Sequence, residues 1–353
     1  LLLCSIDCGY VDGSRYNNSA PGRNFMRTEL LKILRESDDY VSGQQLCDQF
    51  GVSRTAVWKA ISQLREEGYD IEAVKNRGYR LNSGKMPDLL TASEIVSRLH
   101  TEQMGQNCIF LETVDSTNNY AKQIAEHGAE TGTLVVAEEQ TGGKGRRGRS
   151  WETPKGANIA MTILLKPQIR PEHASRLTLL MAMAVVRGVR RVTGLEAGIK
   201  WPNDVVVDGH KVCGILTEMS TEVDYINHVV IGTGINVNQT EFPEEIREIA
   251  GSLKLVAGHS IARAELVAAI MEELEDLYGT FLKTEDLSAL KEEYNKNCVT
   301  CGHEIRVLEP GHEYTGTTDG INDSGELVVK KTDGETVCVY AGEVSVRGLY
   351  GYV

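Results

Sequence analysis

Apolar residues in the first part of the chain recur at helical spacing in three short segments. Residues 27–34 carry one apolar face, and a second helix follows, with Ser42 as its N-cap. Gly51 allows a sharp turn, and Ser53 caps a third helix. The third helix places an apolar stripe at i, i+3, i+4 and i+7 spacing, formed by Val57, Ala60, Ile61 and Leu64. The pattern predicts a helix-turn-helix unit.

Beyond the third helix, residues 69–81 predict a two-stranded hairpin with a basic tip, which is typical of a wing. In a helix-turn-helix the second helix of the motif enters the major groove of DNA by its N-terminal residues. A three-helix protein-interaction module that does not read DNA is the alternative. The candidate DNA-binding residues are Ser53, Arg54, Thr55, Lys59, Gln63, Lys75 and Arg77.

The rest of the chain changes pattern twice, which divides it into further domains. A linker near residues 82–88 ends the helix-turn-helix domain, so we expect domains at residues 26–83, 88–300 and 302–353. The last domain shows short strands separated by glycine-containing turns, which predicts a small β-barrel. Residues 1–25 hold no Met, so we expect a disordered or non-native extension before Met26.

Composition describes an ordinary globular protein, with 41% apolar and 25% charged residues. Its longest uncharged apolar stretch, residues 177–186, is too short for a membrane span of roughly 20 residues. The net charge is −13, yet residues 26–82 hold nine basic and nine acidic residues, so the acidic excess lies elsewhere. The eight cysteines form no dense disulfide framework, and the pair at 298 and 301 lacks the further ligands of a zinc site. No metal ligand is therefore predicted.

The segment with the most chemistry is the glycine-rich, basic loop at residues 142–150, GGKGRRGRS. Its glycines at 143, 145 and 148 spell GxGxxG, but a dinucleotide fingerprint needs a helix directly after it. Pro154 and Gly156 interrupt the chain instead, so we reject that interpretation. Glycine backbone and four cations favour binding of an anion, and a solvated basic loop is the alternative.

Three further segments carry polar residues at positions suited to a ligand. The letters DSTNN at 115–119 put hydroxyls at a helix N-terminus, although helix capping alone also explains them. The letters KWPND at 200–204 precede a hairpin that returns through Lys211. A strand at 229–238 carries Gly232 and Gly234, which would let another group pack closely on its face.

Taken together, these motifs resemble those of the biotin-protein ligases, also called biotin–[acetyl-CoA-carboxylase] ligases. The matching letters are GKGRRGR at 143–149, KWPND at 200–204, KVCGI at 211–215 and GTGIN at 232–236, in the family's order. With the winged helix in front, the resemblance is to the bifunctional form, ligase and biotin operon repressor. It implies an α+β multidomain fold: a winged helix-turn-helix, a central mixed-sheet α/β ligase domain similar to class II aminoacyl-tRNA synthetases, and an SH3-like C-terminal β-barrel.

The resemblance also implies an activity and its partners. Such a protein activates biotin with ATP and Mg²⁺ to biotinoyl-5′-AMP and transfers it to a lysine of a biotin carboxyl carrier protein. It works in the cytoplasm, away from membranes. As an adenylate-bound homodimer it binds operator DNA and represses transcription of the biotin operon. Two alternatives stay open: a biotin sensor without turnover, and a ligase whose winged helix no longer reads DNA.

Site residues follow from the same resemblance. Lys144 stands where the family more often has Arg, which keeps the charge but loses the bidentate fork. Arg347 is a weaker candidate for reaching the site from the C-terminal domain. The implied catalytic residues are Arg146, Lys200, Asp204 and Lys211. The implied ligand-binding residues are Ser116, Thr117, Asn118, Gln140, Lys144, Gly145, Arg146, Arg149, Trp151, Asn203, Lys211, Gly232, Gly234 and Asn236.

Overall fold

The computed structural model describes residues 21–82, 87–309, 312–341 and 345–348. The chain divides into two compact units, Leu1–Pro87 and Asp88–Val353. Residues 1–20 of the expected extension and residues 83–86 of the expected linker lie outside the described residues.

The first unit is a winged helix-turn-helix. Its elements are α1 (Pro21–Glu36), α2 (Gly43–Phe50), α3 (Arg54–Glu66), β1 (Ile71–Val74) and β2 (Gly78–Leu81), with the two strands antiparallel. The first helix is longer than the sequence pattern predicts and begins at Pro21.

Local signals in the sequence set the ends of these helices. Ser42 Oγ accepts a hydrogen bond from the backbone N–H of Gln44 at 3.2 Å, and Ser53 Oγ accepts one from Ala56 at 3.3 Å. Gly51 ends α2 in the left-handed region at φ 63°. The predicted stripe on α3 is buried throughout, which confirms it.

The core of the second unit is a seven-stranded sheet. The strands are β3 (Cys108–Val114), β4 (Thr133–Gln140), β5 (Ile159–Leu165), β6 (Ala197–Lys200), β7 (Asp204–Val207), β8 (His210–Thr221) and β9 (Ile226–Ile235). Their order in the sheet is β3-β4-β5-β9-β8-β7-β6. Only the β3–β4 pairing is parallel, and the other neighbours are antiparallel.

Helices cover this sheet unequally. The helices are α4 (Ala92–Val96), α5 (Thr117–Glu126), α6 (Arg176–Thr193), α7 (Leu253–Ala257), α8 (Arg263–Thr284) and α9 (Lys291–Asn297). The large apolar core joins α6 and α8 to one face of the sheet, and a smaller cluster joins α5 to the other. Among the described helices, none is long and apolar enough to cross a bilayer.

The C-terminal part of the second unit is a five-stranded antiparallel sheet. The strands are β10 (Glu304–Glu309), β11 (His312–Ile321), β12 (Leu327–Lys331), β13 (Thr336–Val339) and β14 (Ser345–Gly348), in the order β13-β12-β11-β10-β14. The predicted short strands are confirmed, with glycine-containing turns at Gly325 and Gly334. Inner residues such as Ile305 belong to the large apolar core of the same unit. Arg347 lies on β14, but its side chain is outside the described residues.

Candidate functional site

Two adjoining cavities open beside the glycine-rich loop in the second unit. We call them the inner cavity and the outer cavity. They share five wall residues: Gly145, Arg146, Trp151, Asn203 and Lys211. A single elongated ligand could therefore occupy both and pass the cations at their junction.

The structure brings all the implied ligase residues to these two cavities. The inner cavity is lined by Ser116, Thr117, Asn118, Gln140, Lys144, Gly145, Arg146, Trp151, Asn203, Lys211, Gly232 and Gly234, among others. The outer cavity adds Arg149, Lys200, Asp204 and Asn236. Residues more than 100 positions apart in sequence thus share one site, although their individual roles stay predictions.

At the floor of the inner cavity lies the start of α5. Ser116 is the N-cap residue of α5, yet its side chain makes no capping hydrogen bond. Thr117 donates its backbone N–H to Gln140 Oε1 at 2.9 Å. Ser116, Thr117 and Asn118 are all buried, so capping does not account for this polar group.

Two glycines of β9 let the side chains of Asn118 and Trp151 approach the strand closely. A Cβ at Gly232 would stand 2.2 Å from Asn118 Oδ1, and one at Gly234 would stand 2.3 Å from Trp151 Nε1. Both distances are far below a carbon–heteroatom contact, so a side chain at either position would displace its neighbour. The predicted close packing on this strand is confirmed.

The glycine-rich loop folds back on itself and holds Arg146 between two other segments. The N–H of Gly145 donates to the carbonyl of Arg149 at 2.7 Å. Arg146 Nη1 donates to Asn203 Oδ1 at 2.8 Å, and Nη2 donates to the carbonyl of Ala341 at 2.8 Å. Burial lowers the pKa of Arg146 from its ordinary value, against the attraction of Asp204.

The junction of the cavities also holds an ion pair. Lys211 Nζ lies 2.6 Å from Asp204 Oδ1 and 5.7 Å from the centre of a Trp151 ring. Cys213, two residues along the same strand, is fully buried, and burial raises the pKa of its thiol. A buried thiol with a raised pKa is a poor nucleophile, so Cys213 is a core residue.

Sequence reasoning missed a layer of polar residues beneath the inner cavity. Thr162 is fully buried on β5 and bonded to Asn118, and Glu218 on β8 contacts both Asn118 and Lys122. The signal for Thr162 was its place as the one polar residue in the run IAMTILL at 159–165.

In the first unit, the seven candidate DNA-binding residues are all exposed. Arg54 Nη2 donates to Gln44 Oε1 at 2.8 Å, which ties the start of α3 to α2. Arg77 at the wing pairs with Asp39 at 2.9 Å and lies over the Tyr40 ring. The sequence reading also missed Trp58, an aromatic side chain on α3 that is 57% exposed.

Comparisons with known proteins agree with this architecture. Residues 27–80 match a helix-turn-helix domain model, residues 110–236 match the biotin/lipoate A/B protein ligase family, and residues 300–347 match the biotin protein ligase C-terminal domain. The chain is 40% identical over 315 residues to a protein of Bacillus subtilis named bifunctional ligase/repressor BirA, covering 88% of this chain and 96% of that protein. It is 29% identical over 325 residues to the protein of that name from Escherichia coli, covering 92% and 98% of the two chains.

A solved structure supports the same assignment. The biotin protein ligase from Aquifex aeolicus in complex with biotin and ATP is 29% identical, with a TM-score of 0.61. The match covers 69% of this chain and 99% of the Aquifex aeolicus chain. The expected fold class, with helix-turn-helix, mixed-sheet ligase domain and C-terminal antiparallel sheet, is confirmed. The chain belongs to the biotin protein ligase family, among the members that carry a helix-turn-helix domain before the ligase domain.

Proposed function

We propose that this protein activates biotin with ATP to biotinoyl-5′-AMP, transfers it to a lysine of a biotin carboxyl carrier protein, and represses biotin operon genes when the adenylate is bound. The observation that carries the ligase half is the junction of the two cavities. There Arg146 and Lys211 stand between the inner and the outer cavity. This is the arrangement that a carboxylate attacking an α-phosphate needs, because two anions must be brought together.

The inner cavity suits the biotin ring system, with hydroxyl and amide groups on its floor and Trp151 on its wall. Lys144 and Arg146 would hold the carboxylate and the phosphate by charge-assisted hydrogen bonds. Arg146 would exchange its present acceptors, Asn203 and the Ala341 carbonyl, for ligand oxygens. Lys211 would stabilise the negative charge that develops during adenylation.

The outer cavity would take the nucleotide. Asn236, just past β9, would contact the adenine, and its amide donates to the carbonyl of Gly251 at 3.1 Å. Arg149 would add a further cation for the phosphates, beside Lys200, Asn203 and Asp204. No cluster of three or more potential metal ligands occurs among residues 21–82, 87–309, 312–341 and 345–348.

A single carboxylate, that of Asp204, fits Mg²⁺, because this ion is commonly held by one or two carboxylates together with substrate phosphates. Asp204 would be the carboxylate, and the ion would neutralise charge on the phosphate oxygens. In the second step the acceptor lysine attacks the mixed anhydride, so no side-chain nucleophile is required. The phosphate is the leaving group, and the same cations would stabilise it.

Lys211→Met tests the ligase half. In purified protein with ATP, Mg²⁺, labelled biotin and a carrier domain, we expect adenylate formation to fall about 10²- to 10³-fold, as for loss of one charge-stabilising donor. Lys155→Met is the matched control, because Lys155 forms an exposed ion pair with Glu112 outside both cavities. Tight biotin binding without any ATP-dependent transfer by the wild type would support the sensor alternative.

The repressor half rests on the exposed basic groups of α3 and the wing, in a unit without net acidic excess. The homodimer is part of this proposal, because operator half-sites are commonly read by two-fold symmetric dimers. We expect a palindromic operator to be bound in the presence of biotin and ATP, and more weakly without them. Operator binding that is independent of biotin would contradict repression by the adenylate-bound form, and no operator binding at all would support the ligase whose winged helix no longer reads DNA. The buried, unpaired thiols of Cys47 and Cys213 are consistent with a cytoplasmic location.

A further inference from the structure

A chain of close oxygen contacts runs beneath the inner cavity. Thr162 Oγ1 lies 2.7 Å from Asn118 Oδ1 and 2.8 Å from Thr117 Oγ1. Thr117 Oγ1 in turn lies 3.1 Å from Gln140 Oε1. Thr117, Asn118 and Thr162 are at most 4% exposed, so water cannot easily complete their hydrogen bonding.

The carboxylate of Glu218 fixes one end of this series of oxygen contacts. Asn118 Nδ2 donates to Glu218 Oε2 at 2.8 Å and to the carbonyl of Leu216 at 3.2 Å, which uses both amide hydrogens. Lys122 Nζ binds the other carboxylate oxygen at 2.9 Å. Burial alone would raise the pKa of Glu218, but the hydrogen bonds from Lys122 and Asn118 lower it. Since an ionised carboxylate can only accept, the Oδ1 of Asn118 must point at Thr162.

Counting hydrogens shows what the floor lacks. Asn118 Oδ1 and Gln140 Oε1 are both acceptors. The amide nitrogen of Asn118 faces Glu218, so its oxygen faces Thr162, and Gln140 Oε1 accepts the N–H of Thr117. The two threonine hydroxyls supply two hydrogens for three oxygen–oxygen contacts. One contact is therefore without a hydrogen. When Thr162 donates to Asn118 and Thr117 donates to Thr162, that contact is the one between Thr117 and Gln140, and a ligand N–H that donates to Gln140 Oε1 in the inner cavity supplies the missing donor.

We propose that Thr162 and Glu218 are positioning residues that keep the inner cavity floor a hydrogen-bond acceptor, and so select a ligand ring that donates N–H, such as a cyclic urea. This rests on the proposed function, because it places the biotin ring in the inner cavity. Neither residue lines the cavity, and both act through Asn118 and Thr117.

Glu218→Gln is the sharpest test, because it changes the direction of the hydrogen bonds with almost no change of shape. A glutamine amide can donate to Asn118 Oδ1, which lets the Asn118 amide turn and donate to Thr162 instead. Thr162 then donates to Thr117, and Thr117 to Gln140, so each contact from Asn118 to Gln140 has its hydrogen without a ligand, while the Leu216 carbonyl loses the donor that it has in the wild type. We expect biotin to bind about 10- to 100-fold more weakly, the range for a buried acceptor that loses its partner.

Thr162→Val tests the same chain from its centre. With no hydroxyl at 162, Thr117 gives its hydrogen to Gln140 and occupies the acceptor that the ligand would use. We expect a similar rise in the KM for biotin, with the KM for ATP within about twofold, and recovery in Thr162→Ser. Thr217→Val is the matched control, since Thr217 pairs with Thr178 at 2.7 Å away from both cavities.

A second ligand makes the readout specific to N–H donation. A biotin analogue methylated on one ring nitrogen should bind the wild type far more weakly than biotin does, and this preference should shrink in Glu218→Gln and Thr162→Val. If the wild type binds and transfers biotin but these variants match Thr217→Val in affinity and preference, the inference is wrong and the proposed function stands. If the wild type binds no biotin at all, both are wrong.

Discussion

Arg263 is the most heavily bonded buried cation among the described residues of the second unit. It is 2% exposed, and Nη1 donates to Glu138 Oε1 at 2.8 Å and to the carbonyl of Asn158 at 3.2 Å. Its Nε donates to Asp88 Oδ2 at 2.9 Å. The same Glu138 oxygen accepts the N–H of Gly156 at 2.7 Å, so the ion pair also holds the chain just before β5.

Arg263→Met keeps the aliphatic stem but removes the charge. The Glu138 side chain is 10% exposed, so its carboxylate would remain buried with one hydrogen bond and no cation. Removing one partner of a buried ion pair costs about 3–5 kcal/mol. Asp88 is 34% exposed and can be hydrated, so we expect the lower end of that range, about 3 kcal/mol. For a unit of this size that corresponds to a fall in Tm of about 6–12 °C.

Calorimetric or denaturant unfolding of the full chain measures this effect. Arg191→Met is the control, because Arg191 forms its ion pairs with Glu272 and Glu273 at the surface. This variant should lose less than about 1 kcal/mol of unfolding free energy. Arg263→Met combined with Glu138→Met should be more stable than Arg263→Met alone, since no carboxylate is stranded. A single variant as stable as the control, or a double variant less stable than the single, would refute the reasoning.

Three further predictions follow from the site and the first unit. Gly234→Ala should displace the Trp151 ring and raise the KM for biotin about tenfold or more, whereas Gly279→Ala, with nothing within 4 Å of its added carbon, should leave it unchanged in the same assay. Because the pKa of Glu218 is lowered from 4.5, its stabilisation is complete above pH 4.5 and disappears as the pH falls through the lower folded value. The unfolding free energies of wild type and Glu218→Gln should therefore converge on acidification, and a constant gap would contradict this. Lys59→Ala should reduce the log–log salt slope of operator binding by about 0.9 if Lys59 contacts a phosphate, and an unchanged slope would exclude that contact.

Much of the first unit could be predicted because its signals are local. N-cap serines, a glycine in the left-handed region and a buried stripe on α3 each act within one or two helical turns. The length of α1 was missed because the apolar periodicity begins only near Arg27, while the helical backbone begins at Pro21.

For the ligase site, the sequence by itself determined the residue types and their order along the chain: the basic glycine loop, the polar start of α5, and the glycines of β9. Only the tertiary structure decided which partners they meet, because strands β4, β5, β8 and β9 become neighbours through pairings that no local spacing encodes. Thr162 and Glu218 are the clearest case. Each is an ordinary residue in its own strand, and their effect on Asn118 arises from hydrogen-bond direction across the assembled sheet.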